Sequence, residues 1–289
     1  MANFQGSKIN PTRFSRGQIK FHVLLLPLSI IMILPIIFMI NNAFKPLGEM
    51  YAFPPRIFVH NPTLDNFKEL FEIGGSTGIP MSRYFFNSIV VAVITVILNL
   101  AISIMGAYVF SKKKFKLKNG LWNMNQLALM FVATAVGVPR YIIISQSGLV
   151  NTYMAHIFPL IAAPVVLFLV KQFVDGIPDA LIEAAVVDGA GDLTIIRKVI
   201  VPLTRPALAT AAVLTFQQVW NNVETSNNFI TEESLRTINY FAQSLSINNA
   251  IAAAGISAAM QLIIFLPNLV IFICMQSQVM NTMSHSGIK

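Results

Sequence analysis

The sequence predicts an all-α integral membrane protein, and three observations support this fold class. Of its 289 residues, 55% are hydrophobic and only 11% are charged, whereas a soluble domain carries about 25% charged residues. The mean hydropathy is +0.67. The apolar residues also gather in segments long enough to cross a bilayer, which takes about 20 residues per helix. This composition excludes a soluble fold.

Six segments are predicted to span the membrane, at about 22–44, 85–110, 121–144, 153–173, 206–223 and 251–275. Pro27 and Pro35 fall inside the first segment, and membrane helices tolerate such kinks. No small-residue cleavage site follows it, so we expect an uncleaved span rather than a secretory signal. The longer connections 45–84 and 221–250 are predicted to lie on the outer side, the former with a short amphipathic helix.

The basic residues predict that both termini are cytoplasmic. The two tails (1–21 and 281–289), the loops after the second and fourth spans, and Lys171 at the end of the fourth span together account for 14 of the 20 Lys and Arg residues. Cytoplasmic loops of membrane proteins are enriched in these residues. Two cytoplasmic termini require an even number of spans, in agreement with six. Without interleaved aromatics or a basic recognition helix, this charge does not indicate nucleic-acid binding.

Motifs for chemistry are missing from the sequence. The single cysteine, Cys274, excludes an intrachain disulfide and a cysteine-based metal site. The four histidines show no metal-ligand spacing, and no nucleophile or phosphate-binding motif is present. We therefore expect a chain that is not an enzyme and binds no metal or cofactor directly.

The most informative segment is the loop 178–202 between the fourth and fifth spans. Pro178 suits the first turn of a helix, and good helix formers follow it. Gly189 permits a bend, after which Asp192 is expected to cap a second helix that ends at Pro202. The pattern predicts a compact knob of two short helices, although an amphipathic loop lying on the membrane surface would also fit it.

This loop resembles the EAA loop of ABC importer permeases, whose pattern is E-A-A, three residues, Gly, nine residues and I-x-L-P. Glu183, Ala184 and Ala185 precede Gly189 at that spacing, and Pro202 closes the pattern, with valines at the Ile and Leu positions. Further similarity is carried by GLVNTY, by FLVKQFVDGIP, by the Trp-Asn pair that closes the fifth span and by an Arg-Thr motif in the 221–250 loop. Over about 80–280, within a transmembrane domain of 22–280, the chain resembles the second permease subunit of maltose-type carbohydrate importers.

The resemblance implies a fold, a function and a set of partners. The fold is that of a type I ABC importer transmembrane domain with six helices, in the cell membrane of a bacterium. The function is translocation of an oligosaccharide delivered by an extracellular solute-binding protein. A homologous second permease subunit and a dimer of ABC ATPases, which hold ATP and Mg, complete the complex. The residues expected to couple to the ATPase are Glu183, Ala184, Ala185, Asp188, Gly189 and Pro202.

Polar residues inside the spans are candidates for the transport pathway, because they are costly in lipid. They are Asn99, Ser103, Thr134, Gln217, Trp220, Asn221 and Gln261. Each also suits a hydrogen bond between helices, which is the alternative role. Competing functions are an ABC permease for another solute and an ion-coupled secondary transporter. The second is disfavoured because the spans hold no acidic residue at mid-depth.

Overall fold

The computed structural model describes residues 19–54, 56–76, 78–131, 133–248 and 253–286, and these residues form helices without any strand. Residues 1–18 of the predicted N-terminal tail and 287–289 of the C-terminal tail lie outside this part. The helices are α1 (Ile19–Phe44), α2 (Leu47–Met50), α3 (Asp65–Ser76), α4 (Met81–Lys112), α5 (Lys118–Ala128), α6 (Gly137–Gln146), α7 (Tyr153–Ile157), α8 (Pro164–Asp175), α9 (Asp179–Val187), α10 (Asp192–Ile195), α11 (Val201–Leu203), α12 (Arg205–Trp220), α13 (Glu224–Phe229), α14 (Ile238–Asn248) and α15 (Ala253–Ser286). Two 3-10 turns (Ala133–Val136 and Glu233–Leu235) and a π turn (Ile196–Ile200) complete the order.

Within the described residues, three helices are long and apolar enough to cross a membrane: Phe21–Phe44, Met81–Lys112 and Ala254–Gln276. A fourth span results if Asp192–Leu203 and Arg205–Trp220, which meet at 86°, are taken as one. The three long helices coincide with the first, second and sixth predicted spans. α15 continues to Ser286, so the predicted end of the domain at 280 falls inside a helix.

The third and fourth predicted spans are not continuous helices. α5 ends at Ala128 and α6 begins at Gly137, while α7 ends at Ile157 and α8 begins at Pro164. Pro164 accounts for the second break, because a residue that precedes proline avoids the helical region. Ala163 is accordingly extended, with φ −101 and ψ 106. Hydropathy reports the apolar length of a segment and not the continuity of its helix.

Two hydrophobic cores lie along α4. The EAA-side core joins the C-terminal half of α4 to α8, α12 and the loop 178–202, and it contains the buried residues Ile104, Ala107, Tyr108, Val170, Ile195 and Ile200. The distal core joins the N-terminal half of α4 to α12, α14 and α15 through residues that include Tyr84, Val91, Trp220, Phe241 and Met260. α4 is therefore the central helix of the fold.

The connection between α1 and α4 is a folded loop that includes α3, the predicted amphipathic helix. The Glu49 carboxylate accepts hydrogen bonds from the backbone N–H groups of His60 (3.0 Å) and Asn61 (2.9 Å). The Asn66 amide donates to the carbonyl of Lys45 (2.8 Å). These polar contacts hold the loop against the end of α1.

Candidate coupling site and transport pathway

The EAA loop forms a knob with two helical arms, as predicted, but their boundaries differ from the prediction. The first arm is α9, which Pro178 immediately precedes. The second arm runs through α10, the π turn and α11. Its N-cap residue is Gly191, so Asp192 is the first helical residue and its side chain makes no capping bond. The Asp192 carboxylate is instead engaged by α4, as described below.

Gly189 forms the bend between the two arms. Its φ is +79°, a conformation that L side chains adopt only with strain. The Gly189 N–H donates to the Val186 carbonyl and the Ala190 N–H to the Ala185 carbonyl, both at 2.9 Å. This pair of bonds is a Schellman motif, in which a glycine closes the C-terminus of a helix. The predicted glycine bend is confirmed.

Pro202 does not end the second helix, contrary to the prediction. It lies inside α11, and the helical stretch continues to Leu203. Proline has no N–H to donate to the carbonyl four residues earlier, and the preceding turn is widened to a π turn in which the Val201 N–H donates to the Ile196 carbonyl. A π turn is one way in which a helix accommodates such a disruption. Pro202 thus lies just before the sharp bend into α12.

The knob has a packed underside and an exposed upper surface. Ile182, Ala185 and Ala190 pack against the EAA-side core, whereas Glu183, Ala184, Asp188 and Gly189 are exposed. Apolar side chains are exposed as well, and they are Leu181, Val186, Val187 and Leu193. Val187 is 86% and Leu193 is 75% exposed. Exposed apolar side chains clustered on a small protrusion indicate a surface that another protein covers.

Two lysines at the end of α4, which belong to no sequence motif described above, hold the knob in place. Lys112 Nζ lies 2.7 Å from Asp179 Oδ1, and Lys113 Nζ lies 2.6 Å from Asp192 Oδ1. The hydrogen bond from Lys112 is the largest cause that lowers the pKa of the Asp179 carboxyl below its ordinary value. The available sequence signal was a lysine-rich loop, together with an aspartate at the start of each predicted helix of the knob. This signal did not specify which lysine pairs with which aspartate.

The two pathway candidates on α4 are buried between helices. Asn99 is 0% and Ser103 3% exposed. The Asn99 amide donates to the carbonyl of Ile161 at 2.8 Å, and its oxygen accepts a bond from the Thr215 hydroxyl at 3.1 Å. Ile161 lies in the break between α7 and α8, so its carbonyl has lost the helical partner that a continuous span would supply. Asn99 therefore joins α4, α12 and this break by hydrogen bonds.

Three other candidates are exposed amides near the contact of α12 with α15. Gln217, Asn221 and Gln261 are exposed, and Asn268 Nδ2 donates to Asn221 Oδ1 at 3.4 Å. Gln261 and Asn268 are seven residues apart and thus share one face of α15. These four residues form an amide strip. Lipid is a poor solvent for amide groups, so the strip indicates a surface facing water or protein.

The remaining candidates have different surroundings. Trp220 is 2% exposed, and its indole Nε1 donates to the carbonyl of Ile264 on α15 at 3.0 Å. Thr134 belongs to the short 3-10 turn before α6, but its side chain lies outside the described part of the chain. Among the side chains that the structure describes, no group of His, Cys, Asp and Glu is arranged to hold a metal ion.

Comparisons with known proteins identify the family to which this chain belongs. Residues 14–279 match the family model described as binding-protein-dependent transport system inner membrane component. The inner membrane ABC transporter permease protein YcjP of Escherichia coli is 30% identical over 224 residues, or 77% of this chain and 79% of that protein. The arabinooligosaccharides transport system permease protein AraQ of Halalkalibacterium halodurans is 31% identical over 201 residues, covering 68% and 69%.

A solved structure supports the fold. One chain in the crystal structure of a bacterial ABC transporter involved in the import of the acidic polysaccharide alginate superimposes with a TM-score of 0.77. The match covers 92% of this chain and 99% of the other at 19% identity. The family match covers most of the chain and includes the knob, both hydrophobic cores and the amide strip. The chain thus belongs to the inner-membrane components of binding-protein-dependent transport systems, the non-catalytic, multi-pass permease subunits of bacterial ABC importers.

Proposed function

We propose that the chain is the second permease subunit of an ABC importer that takes up an oligosaccharide delivered by an extracellular solute-binding protein. The observation that carries this proposal is the exposed apolar surface of the EAA knob around Val187 and Leu193. One side of the knob packs against the EAA-side core and the opposite side exposes apolar side chains. This arrangement suits a rigid element on which another protein docks. ATP binding can move the spans only if the docked ATPase favours one of two global states of the complex.

The proposed topology has six spans with both termini in the cytoplasm. α5 with α6 forms the third span and α7 with α8 the fourth, each as a broken helix, and α12 forms the fifth. Helix breaks within a membrane are tolerated where protein covers the freed backbone groups, and Asn99 does this for the Ile161 carbonyl. The transmembrane domain then comprises 22–280 with cytoplasmic tails at 1–21 and 281–289, and the distribution of basic residues supports this orientation.

The proposed coupling site is the exposed face of the knob. Glu183, Ala184, Asp188 and Gly189 lie on this face, while Ala185 and the segment around Pro202 connect it to the EAA-side core. The partner is a dimer of ABC ATPases, which hold ATP and Mg, so this chain binds no cofactor directly. A homologous, non-identical partner permease subunit pairs with the membrane domain.

The proposed pathway surface is the amide strip on α12 and α15. Amide side chains donate and accept hydrogen bonds, as sugar hydroxyls require. The AraQ relative is named for arabinooligosaccharides and the alginate importer for a polysaccharide, which favours a sugar chain as the substrate. The same strip suits the interface with the partner permease subunit, because a pathway between two subunits would run along that interface. Asn99, Ser103 and Trp220 then support the pathway from behind by joining helices.

The test is reconstitution of the chain in liposomes with its partner permease subunit, its ATPase and its solute-binding protein. We expect oligosaccharides to stimulate ATP hydrolysis and to enter the vesicles. Stimulation by peptides, amino acids or phosphate instead would identify another solute class. Uptake by this chain alone, driven by an ion gradient without ATP, would overturn the proposal.

A matched pair of variants tests the docking surface separately. Val187→Asp places a charge on the exposed apolar face of the knob and should abolish co-purification of the ATPase. Leu117→Asp makes the same change at a 69% exposed leucine between α4 and α5 and should leave the ATPase bound. Retention of the ATPase by the Val187 variant would show that this face is not the docking surface.

A further inference from the structure

α4 is attached to both arms of the EAA knob at the first residue of each arm. Asp179 begins α9 and Asp192 begins α10. Lys112 Nζ donates to Asp179 Oδ1 at 2.7 Å and to the carbonyl of Ile177 at 2.5 Å. Lys113 Nζ donates to Asp192 Oδ1 at 2.6 Å. We call this arrangement the lysine clamp.

The surroundings of the clamp favour a firm attachment. The Lys112 side chain is 8% exposed, and the Tyr108 hydroxyl donates a second bond to Asp192 Oδ1 at 2.9 Å. Exposed ion pairs contribute little on their own. Here the ion pairs border the EAA-side core, to which α4 contributes Ile104 and the knob contributes Ile195. Apolar burial supplies attachment, and the two lysines fix where each arm begins.

The other end of α4 is bonded to the segment 233–238, which leads from α13 into the first residue of α14. The Tyr84 hydroxyl donates to Glu233 Oε1 at 2.9 Å. Asn87 Nδ2 donates to the carbonyls of Ser234 and Arg236, both at 2.9 Å. The Ser88 hydroxyl oxygen accepts the Ile238 N–H at 2.9 Å. This end therefore has its own set of directional contacts.

α4 is suited to transmit movement between these two sites. It contains 32 residues, which at about 1.5 Å per residue gives a length of about 48 Å. The other two long helices contain prolines, at Pro27 and Pro35 in α1 and Pro267 in α15, whereas α4 contains none. Sharp bends in helices occur mostly at proline, so α4 lacks the commonest cause of such a bend.

We propose that Lys112 and Lys113 are positioning residues for transport, and that they transfer the movement of the knob through α4 to the segment 233–238. This proposal rests on the proposed coupling of the knob to an ATPase. When the docked knob moves, the clamp makes α4 move with it as one rod. The contacts of Asn87 then displace the 233–238 segment at the far end.

The first experiment measures the number of sugar molecules transported per ATP hydrolysed, in liposomes with the complete complex. For the Lys112→Ala, Lys113→Ala double variant we expect this ratio to fall at least about fivefold, as when coupling weakens by a kcal/mol or more, while the ATPase still co-purifies. Lys116→Ala is the matched control, because Lys116 is exposed in the same loop and makes no ion pair within the described residues. Its ratio should stay unchanged.

The second experiment exchanges the charges. Lys112→Asp and Asp179→Lys should each lower the transport ratio, and the combined variant should restore it, which a purely structural requirement for lysine would not produce. The same applies to Lys113 with Asp192. Failure of both combined variants to restore coupling would show that the lysine clamp does not transfer movement to α4.

The outcomes separate this inference from the proposed function. If the unaltered complex neither binds an ATPase nor transports sugar, the proposed function is wrong. If the unaltered complex transports and the double alanine variant transports with an unchanged ratio, only the clamp is wrong. If the double alanine variant does not assemble, the charge-exchanged pairs decide.

Discussion

The indole Nε1 of Trp220 donates a hydrogen bond to the carbonyl oxygen of Ile264 across 3.0 Å, joining the end of α12 to the middle of α15. Pro267 follows on α15 and has no N–H to donate to the carbonyl of Ile263, the residue next to Ile264. On the adjoining turns, Asn268 donates to Asn221. The Trp-Asn pair that carried part of the family resemblance therefore holds α15 at its proline.

Replacing Trp220 with phenylalanine should lower the free energy of unfolding by about 1–3 kcal/mol, because the smaller ring leaves a gap in the distal core and the hydrogen bond to Ile264 is lost. Unfolding in mixed micelles titrated with SDS measures this change. Trp122→Phe serves as the control, since the Trp122 indole N–H has no acceptor within the described residues. Equal destabilisation by both variants would contradict a specific role for the bond to Ile264.

Asn99→Leu should destabilise the subunit by about 1–3 kcal/mol, because it leaves the Ile161 carbonyl and the Thr215 hydroxyl without their shared partner. The same denaturant titration measures the loss, and uptake assays at varied sugar concentration give the apparent KM. A raised KM with unchanged stability would instead place Asn99 in contact with the substrate.

Gly189→Pro should abolish coupling, because proline cannot adopt a φ of +79° and removes the N–H that bonds to Val186. We expect membrane insertion to persist while oligosaccharide-stimulated ATP hydrolysis is lost. Gly189→Asn is the matched variant, since asparagine enters the left-handed region at lower cost, and it should retain most of the activity. Normal transport by the proline variant would show that the bend is dispensable.

Glu49 should make the loop between α1 and α4 sensitive to acid. The hydrogen bond from the His60 N–H is the largest cause that lowers the pKa of Glu49 below its ordinary value. A group with a depressed pKa stabilises the folded loop above its ordinary pKa, and this contribution is lost as the pH falls through the lowered value. The loop should therefore resist proteolysis at pH 5–8.

The matching variant is Glu49→Gln, which removes the charge and should speed protease cleavage within 51–60 at neutral pH, as followed by mass spectrometry. Glu69→Gln alters an exposed carboxylate on α3 and should leave the cleavage rate unchanged. Equal cleavage of the Glu49 variant and the unaltered chain would contradict the proposed role of this carboxylate.

Much of the fold could be predicted from the sequence, because the patterns that indicate it involve residues close together in the chain. The long apolar helices α1, α4 and α15 and the glycine bend at Gly189 depend on residues that are close in the chain. The break before Pro164 was missed, although proline gave a local warning. Its stabilisation depends on Asn99, which lies 62 residues from Ile161 along the chain, and no local pattern reports such a distant partner.

The candidate site was predictable to a similar extent. The spacing of Glu183, Ala185 and Gly189 identified the knob and its bend. The lysine clamp was not foreseen, because Lys112 and Asp179 are 67 residues apart and basic loop residues ordinarily report topology alone. The two boundary errors have different reasons: the Asp192 carboxylate bonds to Tyr108 and Lys113 instead of capping its helix, and a π turn lets the helix continue past Pro202.

The exposure of α1 has a consequence for where the sequence tolerates substitution. None of its most apolar window is buried inside the chain, and only its last residues, Ala43 and Phe44, join the distal core. α1 packs along α15, but side chains on its outward face have no neighbour inside the chain. We expect substitutions on that face to cost less stability than substitutions in α4, so the face is a suitable place to attach a reporter group.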